Sequence, residues 1–173
     1  MITNYSEVDS LSKIPMKNND DILSMEEILE VSGLDMMKGI LNGIYPPAPI
    51  SKLLNYHVQA VEKGKVVFRG TPNLDSHNPM GTLHGGWYGT ILDSAMACAV
   101  MTTLPKGKIQ TTIEFKVNII RPIPAEVTVD AVGTVEHAGR STGVAVGRII
   151  DVNTGKLYAS ASTTCIIMTP KLK

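Results

Sequence analysis

One stretch of the sequence, GTLHGGWYGTILDSAMACAV, combines several glycines with a single acidic residue, Asp93. Glycines at the start of a helix leave its first amide groups sterically open, and those N–H groups have no partner within the helix. With the positive end of the helix dipole, they predict a site for an oxyanion at Gly85, Gly86 and Gly89. Asp93 is the only formally charged residue between Gly85 and Lys106. A carboxylate among small helix residues predicts a general base or a nucleophile.

Each feature also has a plainer interpretation. The glycines could serve only to pack the helix closely on a sheet, and Asp93 could be tied to a neighbouring loop. Gly85 and Asp93 are eight residues apart, which is roughly 12 Å along a helix. One carbonyl group cannot touch both groups of one chain. If both act on the same bond, a two-fold axis must bring Gly85 of one subunit opposite Asp93 of its partner, and catalysis requires a dimer.

Composition limits the partners. The chain has 173 residues, enough for one domain and a leader, and its 16 basic and 16 acidic residues cancel. The balanced charge gives no electrostatic field that would attract nucleic acid or an anionic membrane, so both are disfavoured as partners. A content of 5% aromatic residues also disfavours stacking on single-stranded nucleic acid. Asp93 and several glycines interrupt the run from Gly85 to Pro105, which argues against a membrane span.

Other patterns exclude familiar chemistries. The first residues, MITNYSEVDSLSKIP, lack the basic segment and apolar core typical of a signal peptide, and the separated Cys98 and Cys165 are expected to be core thiols in a reducing compartment. We therefore expect a cytoplasmic protein. No GxSxG, Walker or GxGxxG motif is present, which disfavours a serine hydrolase, a nucleotidase and a dinucleotide enzyme. The four histidines lack zinc-ligand spacing, so no metal and no cofactor are expected.

The N-terminal part predicts helices. Residues 1–23 show no periodicity and predict a loosely held leader. Ser24 with Glu27 predicts a capping box, and Ser32 with Asp35 predicts a second cap, so two short helices should follow. The prolines in YPPAP, at 45–49, predict a stiff connector that ends them. We therefore expect an N-terminal leader with short helices over 1–45 and one domain over 46–170.

The domain is predicted to run strand, strand, helix and then four strands, which indicates an α+β fold with an antiparallel β-sheet on one central helix. The helix should extend from Gly85 to Leu104. Strict alternation after it places Ile113 and Phe115 on one strand face and Thr112 on the other. Short loops between the last four strands favour hairpins. Apolar residues on both strand faces predict a dimer or larger oligomer.

Three segments together carry a resemblance: HNPMGTLHGGWYGTILDSAMACAV, TTIEFKVNIIRP and HAGRS. The sequence resembles the hotdog-fold acyl-CoA thioesterases of the PaaI type over about residues 45–168. This resemblance implies a sheet wrapped around one α-helix and hydrolysis of an acyl-CoA thioester to a free carboxylic acid and CoA. It also implies active sites shared across a homodimer, often with dimers of dimers forming a homotetramer. Whether these pack side by side or back to back stays open.

The resemblance also assigns roles by position. Gly85 would donate its backbone N–H to the thioester oxygen. Asp93 of the other subunit would activate water as a base or form a mixed anhydride as a nucleophile. Asn78 would hold the water or the carbonyl group. Thr112, or alternatively Thr111, would support the water or Asp93.

Further positions concern the loop and the substrate. His84 would orient the loop by hydrogen bonding. The residues implied to contact CoA are His137, Arg140 and Ser141 in the strand turn, together with Gly86. Trp87 and Tyr88 stand where smaller aliphatic residues are common in the family, so we expect them to narrow or block the acyl pocket.

Three other functions remain open at this point. A hotdog module could bind acyl-CoA without hydrolysing it, although the combination of Asn78, Gly85 and Asp93 argues against that. A hotdog hydratase or dehydratase would use a histidine with a carboxylate, and His84 lacks the usual spacing. A structural interaction protein would not need the lone helix carboxylate.

Overall fold

The computed structural model describes residues 22–171, so most of the predicted loose leader lies outside the described residues. Two short helices follow as predicted, α1 (Met25–Leu29) and α2 (Gly33–Leu41). The Ser24 and Glu27 side chains make both hydrogen bonds of a capping box. The division of the chain at residue 45 into leader and domain stays a prediction.

A third short helix, α3 (Pro49–Leu53), begins at the last residue of the predicted stiff connector and covers residues for which the sequence predicted no element. Its first residue is Pro49, and a proline is well accommodated there because the first helical N–H has no partner within the helix. The sequence interpretation treated the prolines only as breakers and so missed this helix.

Six strands form one antiparallel sheet in the order β1-β2-β4-β5-β6-β3. Helix α4 (Gly85–Met101) follows β2 after a single 3₁₀ turn (Leu74–Ser76) and packs on the sheet. This arrangement confirms the predicted fold class. The strands are β1 (Tyr56–Glu62), β2 (Lys65–Gly70), β3 (Ile109–Ile119), β4 (Val129–Ala138), β5 (Thr142–Asp151) and β6 (Leu157–Met168).

The expected chain of hairpins is wrong for β3. This strand pairs with β6, while β4 pairs with β2 and β5. The connection over 120–128 therefore carries the chain from one edge of the sheet back to its interior. Strand β3 is left at the edge, and Ile113, Phe115 and Ile119 are 60%, 45% and 50% exposed.

A β-bulge at Ile113 corrects the predicted alternation of β3. The register of β3 against β6 shifts between Thr112 and Glu114, so Ile113 is the extra residue. Thr112 pairs with Cys165 and Phe115 pairs with Thr163, and both partners are buried on the helix side of β6. Thr112 and Phe115 therefore face α4 together, where strict alternation had placed them on opposite faces.

Glycines allow α4 to lie close to the sheet. A Cβ atom on Gly133 of β4 would stand 2.2 Å from the backbone oxygen of Ala95, and one on Gly147 of β5 would stand 2.9 Å from the side chains of Leu92 and Met96. The helix ends at Met101, three residues before the predicted end. Because Asp93 is carried by α4, this packing fixes the height of the carboxylate above the sheet.

We predict that Gly133→Ala destabilises the fold by about 1–3 kcal/mol, because the new methyl group meets helix backbone that cannot rotate away. Gly147→Ala is the matched control, since its methyl group meets only flexible side-chain ends and should cost less. Urea denaturation measures both free energies of unfolding. Equal costs for the two variants would contradict the assigned helix contact.

Candidate active site

Asp93 has a defined partner in the edge strand. The Thr112 hydroxyl donates a hydrogen bond to Oδ1 of Asp93, with an O···O distance of 2.8 Å. Asp93 itself is half-buried. Thr111, the alternative named from the sequence, is exposed and pairs with Ile166. The buried face of β6 is formed by Cys165 and Ile167 on either side of Ile166, so Thr111 points away from that face. The structure thus brings Thr112, and not Thr111, to the carboxylate.

The N-terminus of α4 presents one open amide. His84 is the N-cap, and its Nδ1 accepts the Gly86 N–H at 2.9 Å. The Trp87 N–H donates to the His84 carbonyl oxygen at 3.0 Å. The Gly85 N–H has no acceptor within residues 22–171, and Gly85 is exposed. The His84 cap therefore engages the Gly86 amide and leaves the Gly85 amide for a ligand.

One side of α4 and the inward side chains of β3 form what we call the β3 groove. Contacts recur at every fourth residue of the helix, so helix and strand run antiparallel along the groove. In order, the contacts join Gly85 to Ile119, Gly89 to Phe115, Asp93 to Thr112 and Ala97 to Gln110. The amide end and the carboxylate end of the groove are separated by two helical turns, roughly 12 Å. Within one chain they are not brought together.

Asn78 organises the loop before α4. Its Oδ1 accepts the N–H groups of Met80 and Thr82 at 2.9 and 3.3 Å, and its Nδ2 donates to the Thr82 hydroxyl at 2.8 Å. A bridge between His77 and Leu83 and the bond from the His84 N–H to the Ser76 carbonyl oxygen fasten this loop to the helix start. The Asn78 side chain thus supports the loop, and one N–H of its amide stays available.

The residues expected to contact CoA lie at the carboxylate end of the groove. Arg140 and Ser141 form the turn between β4 and β5, and the Ser141 carbonyl oxygen accepts the Ile167 N–H at 2.8 Å. Arg140 and His137 are both exposed. Gly86 lies apart from them, at the other end of α4.

Trp87 and Tyr88 do not narrow the groove as expected. Both are 2% exposed. The Trp87 indole donates to the Leu54 carbonyl oxygen at 2.9 Å, and the Tyr88 hydroxyl accepts the Ile123 N–H at 2.8 Å. These rings hold the C-terminal end of α3 and the middle of the β3–β4 connection on the core.

The sequence analysis assigned no place in the site to two residues that lie near the carboxylate. The Cys165 sulfur lies 3.9 Å from the Thr112 hydroxyl oxygen. The Gln110 Nε2 donates to the Ala97 carbonyl oxygen at 3.1 Å, while its Oε1 is buried without a partner in the described part of the chain. Only the register of β3 against β6 and α4 brings them here, and no motif in the sequence records that register.

The two thiols resist ionisation. Burial raises the pKa of the Cys98 thiol to about 12, and burial also raises the pKa of Cys165, opposed by its contact with Thr112. Between residues 22 and 171, there is no cluster of three or more His, Cys, Asp or Glu side chains that could hold a metal ion. Over the same range, no helix combines the length and apolar character needed to cross a membrane.

Comparison with known proteins identifies relatives of this fold. Residues 80–158 match the Thioesterase superfamily. The chain is similar to a putative thioesterase, a phenylacetic acid degradation-related protein from Ralstonia eutropha, with 27% identity and a TM-score of 0.68 over 75% of this chain and 98% of that one. No protein with a curated description matches the sequence.

Two further structures are similar. One is a mutant of the phenylacetic acid degradation protein PaaI from Thermus thermophilus, with 27% identity and a TM-score of 0.63 over 69% of this chain and 98% of that one. The other is a Streptococcus mutans protein bound to acetyl CoA, with 23% identity and a TM-score of 0.61 over 68% of this chain and 92% of that one. The predicted resemblance to PaaI-type proteins and the hotdog fold are thereby confirmed.

The His84 cap gives a testable prediction. His84→Ala should lower the free energy of unfolding by about 1 kcal/mol, because the Gly86 N–H loses its acceptor. His84→Asn should retain most of the stability, since asparagine is a preferred N-cap residue. Thermal unfolding of both variants checks this. If alanine and asparagine behave alike, the imidazole does not act as the cap.

Proposed function

We propose that this chain, whose residues 80–158 match the thioesterase superfamily, hydrolyses an acyl-CoA thioester to a free carboxylic acid and CoA. One observation carries the proposal: a single groove holds an open helix amide at Gly85 and a hydrogen-bonded carboxylate at Asp93. An amide donor suits the negative oxygen of a tetrahedral intermediate, and a carboxylate suits proton removal from water. Ester hydrolysis needs both.

The reaction follows from these two groups. Asp93 accepts a proton from water as the water oxygen bonds to the thioester carbon, and the carbonyl oxygen becomes negatively charged. The Gly85 N–H donates to that oxygen at the positive end of the helix dipole. Collapse of the intermediate breaks the carbon–sulfur bond, and the departing CoA thiolate takes the proton from Asp93. Direct attack by Asp93 through a mixed anhydride gives the same products.

The two groups of one site come from two subunits in this proposal. The separation of roughly 12 Å within one chain is too long for one carbonyl group to touch both. Strand β3 offers the surface for a second copy, since its outer edge has no partner strand among the described residues. Its exposed Ile113, Phe115 and Ile119 would be covered there.

The bulge determines which register such a dimer can use. Ile119 lies beside the amide end and Thr112 beside the carboxylate end, so these positions must meet across the two-fold axis. When the bulged Ile113 is left out of the count, Lys116 is the midpoint between Ile119 and Thr112, so Lys116 lies at the two-fold axis. Val117 then pairs with the partner subunit's Phe115, and both side chains face inward. Residues directly opposite each other in an antiparallel pair point to the same side of the sheet. Ile119 of one subunit can therefore lie opposite Thr112 of the other only because the bulge turns Thr112 inward, to the side of Ile119.

Cations near the carboxylate end support recognition of CoA phosphates. Arg140 lies in the turn bonded to Ile167, and Lys108 immediately precedes Ile109, which pairs with Met168. Both cations therefore lie at the same end of the sheet. A protein of this fold from Streptococcus mutans binds acetyl CoA, which agrees with an acyl-CoA substrate here. The dimer of dimers and a cytoplasmic location remain part of the proposal.

The rival activities have less support. A hydratase uses a histidine ring as an acid or base beside a carboxylate, but the His84 Nδ1 accepts the Gly86 N–H at 2.9 Å and so serves as the helix cap. A binding module without catalysis needs no carboxylate hydrogen-bonded in the groove.

Single variants test the two catalytic groups. Asp93→Asn should reduce turnover at least about 100-fold, because the base is lost while the shape is kept. Gly85→Pro should also reduce turnover about 100-fold, because proline at the first helical position removes only the N–H. Gly85→Ala is its matched control and keeps the N–H. Release of free thiol from a panel of acyl-CoA esters measures the rates; full activity of Asp93→Asn on every hydrolysed ester would refute the mechanism.

Mixing these variants tests the shared site. A heterodimer of the Asp93→Asn and Gly85→Pro chains has one site with both groups intact and one with neither. Co-expression with two affinity tags should therefore restore about half of the wild-type rate per dimer. Heterodimers as inactive as their parents would place both groups of each site on one chain.

The strand register has its own test. Lys116→Cys should form a disulfide with its own copy under mild oxidation, because Cα atoms at the two-fold axis of an antiparallel pair lie about 4.5–5.5 Å apart. Asn118→Cys, also exposed on β3, is the control and should not link to itself. Non-reducing gel electrophoresis distinguishes them. Cross-linking at residue 118 instead of 116 would indicate a different register.

A further inference from the structure

The Thr112 hydroxyl has two polar neighbours and only one proton. It lies 2.8 Å from the Asp93 Oδ1 and 3.9 Å from the Cys165 sulfur. An ionised carboxylate can only accept hydrogen bonds, so the Thr112 proton goes to Asp93. In the contact with sulfur, the Cys165 S–H is then the donor and the Thr112 oxygen the acceptor. The Thr163 hydroxyl, which donates to the Glu114 carbonyl oxygen at 2.8 Å, is the second hydroxyl beside this thiol. The thiol keeps its proton at neutral pH, because burial raises the pKa of Cys165.

We propose that Cys165 is a positioning residue for Asp93, acting through Thr112. Its thiol holds the Thr112 hydroxyl in the orientation that donates to Oδ1 and leaves Oδ2 of Asp93 for the reaction. This inference rests on the proposed thioesterase function. A hydroxyl that accepts one hydrogen bond while donating another is polarised, so its donated bond becomes stronger.

Placement of Cys165 supports a specific contact. The residue pairs with Thr112 across the β3–β6 ladder and is fully buried. The bulge at Ile113 turns Thr112 onto the side where this thiol lies. The Asp93 Oδ2 has no hydrogen-bond partner in the described part of the chain. The chain Cys165–Thr112–Asp93 thus distinguishes the two carboxylate oxygens.

A spectroscopic test does not depend on activity. The sequence has two cysteines, so Cys98→Ala leaves Cys165 as the only thiol. Its S–H stretching band in the infrared should lie at the lowered frequency of a hydrogen-bond donor. Adding Thr112→Val, which removes the hydroxyl and keeps the shape, should raise the band to the frequency of a free thiol. A band that stays in place overturns the proposal.

Kinetics test the connection to Asp93. Cys165→Ala should lower kcat about threefold with KM unchanged, the size of a weak hydrogen bond, and Cys165→Ser should restore the rate. In a Thr112→Val background, Cys165→Ala should have no further effect, because its influence passes through Thr112. Cys98→Ala, the matched removal of a thiol without this contact, should leave kcat unchanged.

The outcomes separate the two proposals. Independent effects of Cys165→Ala and Thr112→Val on kcat, or failure of Cys165→Ser to restore it, would overturn the positioning role while leaving the thioesterase function standing. Absence of thiol release by the wild-type chain from every ester would remove the proposed function, and the infrared comparison would still decide whether the thiol donates to Thr112.

Discussion

The hydrogen bond from Thr112 to Asp93 joins the central helix to the edge strand, and the geometry of the β3 groove depends on it. A carboxylate on a largely apolar helix needs a partner, because burying an unpaired charge is costly. The partner is available only because the bulge at Ile113 turns Thr112 toward the helix. Glycines of β4 and β5 let α4 lie close to the sheet that carries β3. Strand irregularity and helix packing therefore act together to place one acidic group.

The opposite end of the groove is built by local hydrogen bonds instead. Asn78 fixes the loop before the helix, and His84 caps its first turn. The result is an exposed N–H at Gly85 whose neighbours are already paired. The Asn78 and His84 side chains thus hydrogen-bond to the loop and to the helix start, on either side of the exposed Gly85 N–H. Such a fixed N–H suits the proposed hydrolysis, because an oxyanion site needs hydrogen-bond donors that are fixed before the substrate binds.

One chain contains the two ends of a groove, and the distance between them is set by the helix itself. No side-chain movement can shorten two helical turns, so joint action on one bond requires a second subunit. The exposed apolar side chains of β3 and the proposed strand register around Lys116 both agree with such a dimer. In the proposed dimer, a second copy covers the outer edge of β3, a surface that would otherwise favour unspecific pairing.

Apart from α3, the sequence by itself determined the element types, the central helix and the residue types at both ends of the groove, because periodicity, caps and glycine positions are local properties. It also favoured Thr112 over Thr111 through a family resemblance. The tertiary structure decided what depends on distant pairing: the place of β3 beside β6, the bulge, the burial of Trp87 and Tyr88 in the core, and the contact of Cys165 with Thr112. Residues 112 and 165 are far apart in the chain, and only the register of two paired strands brings their side chains into contact.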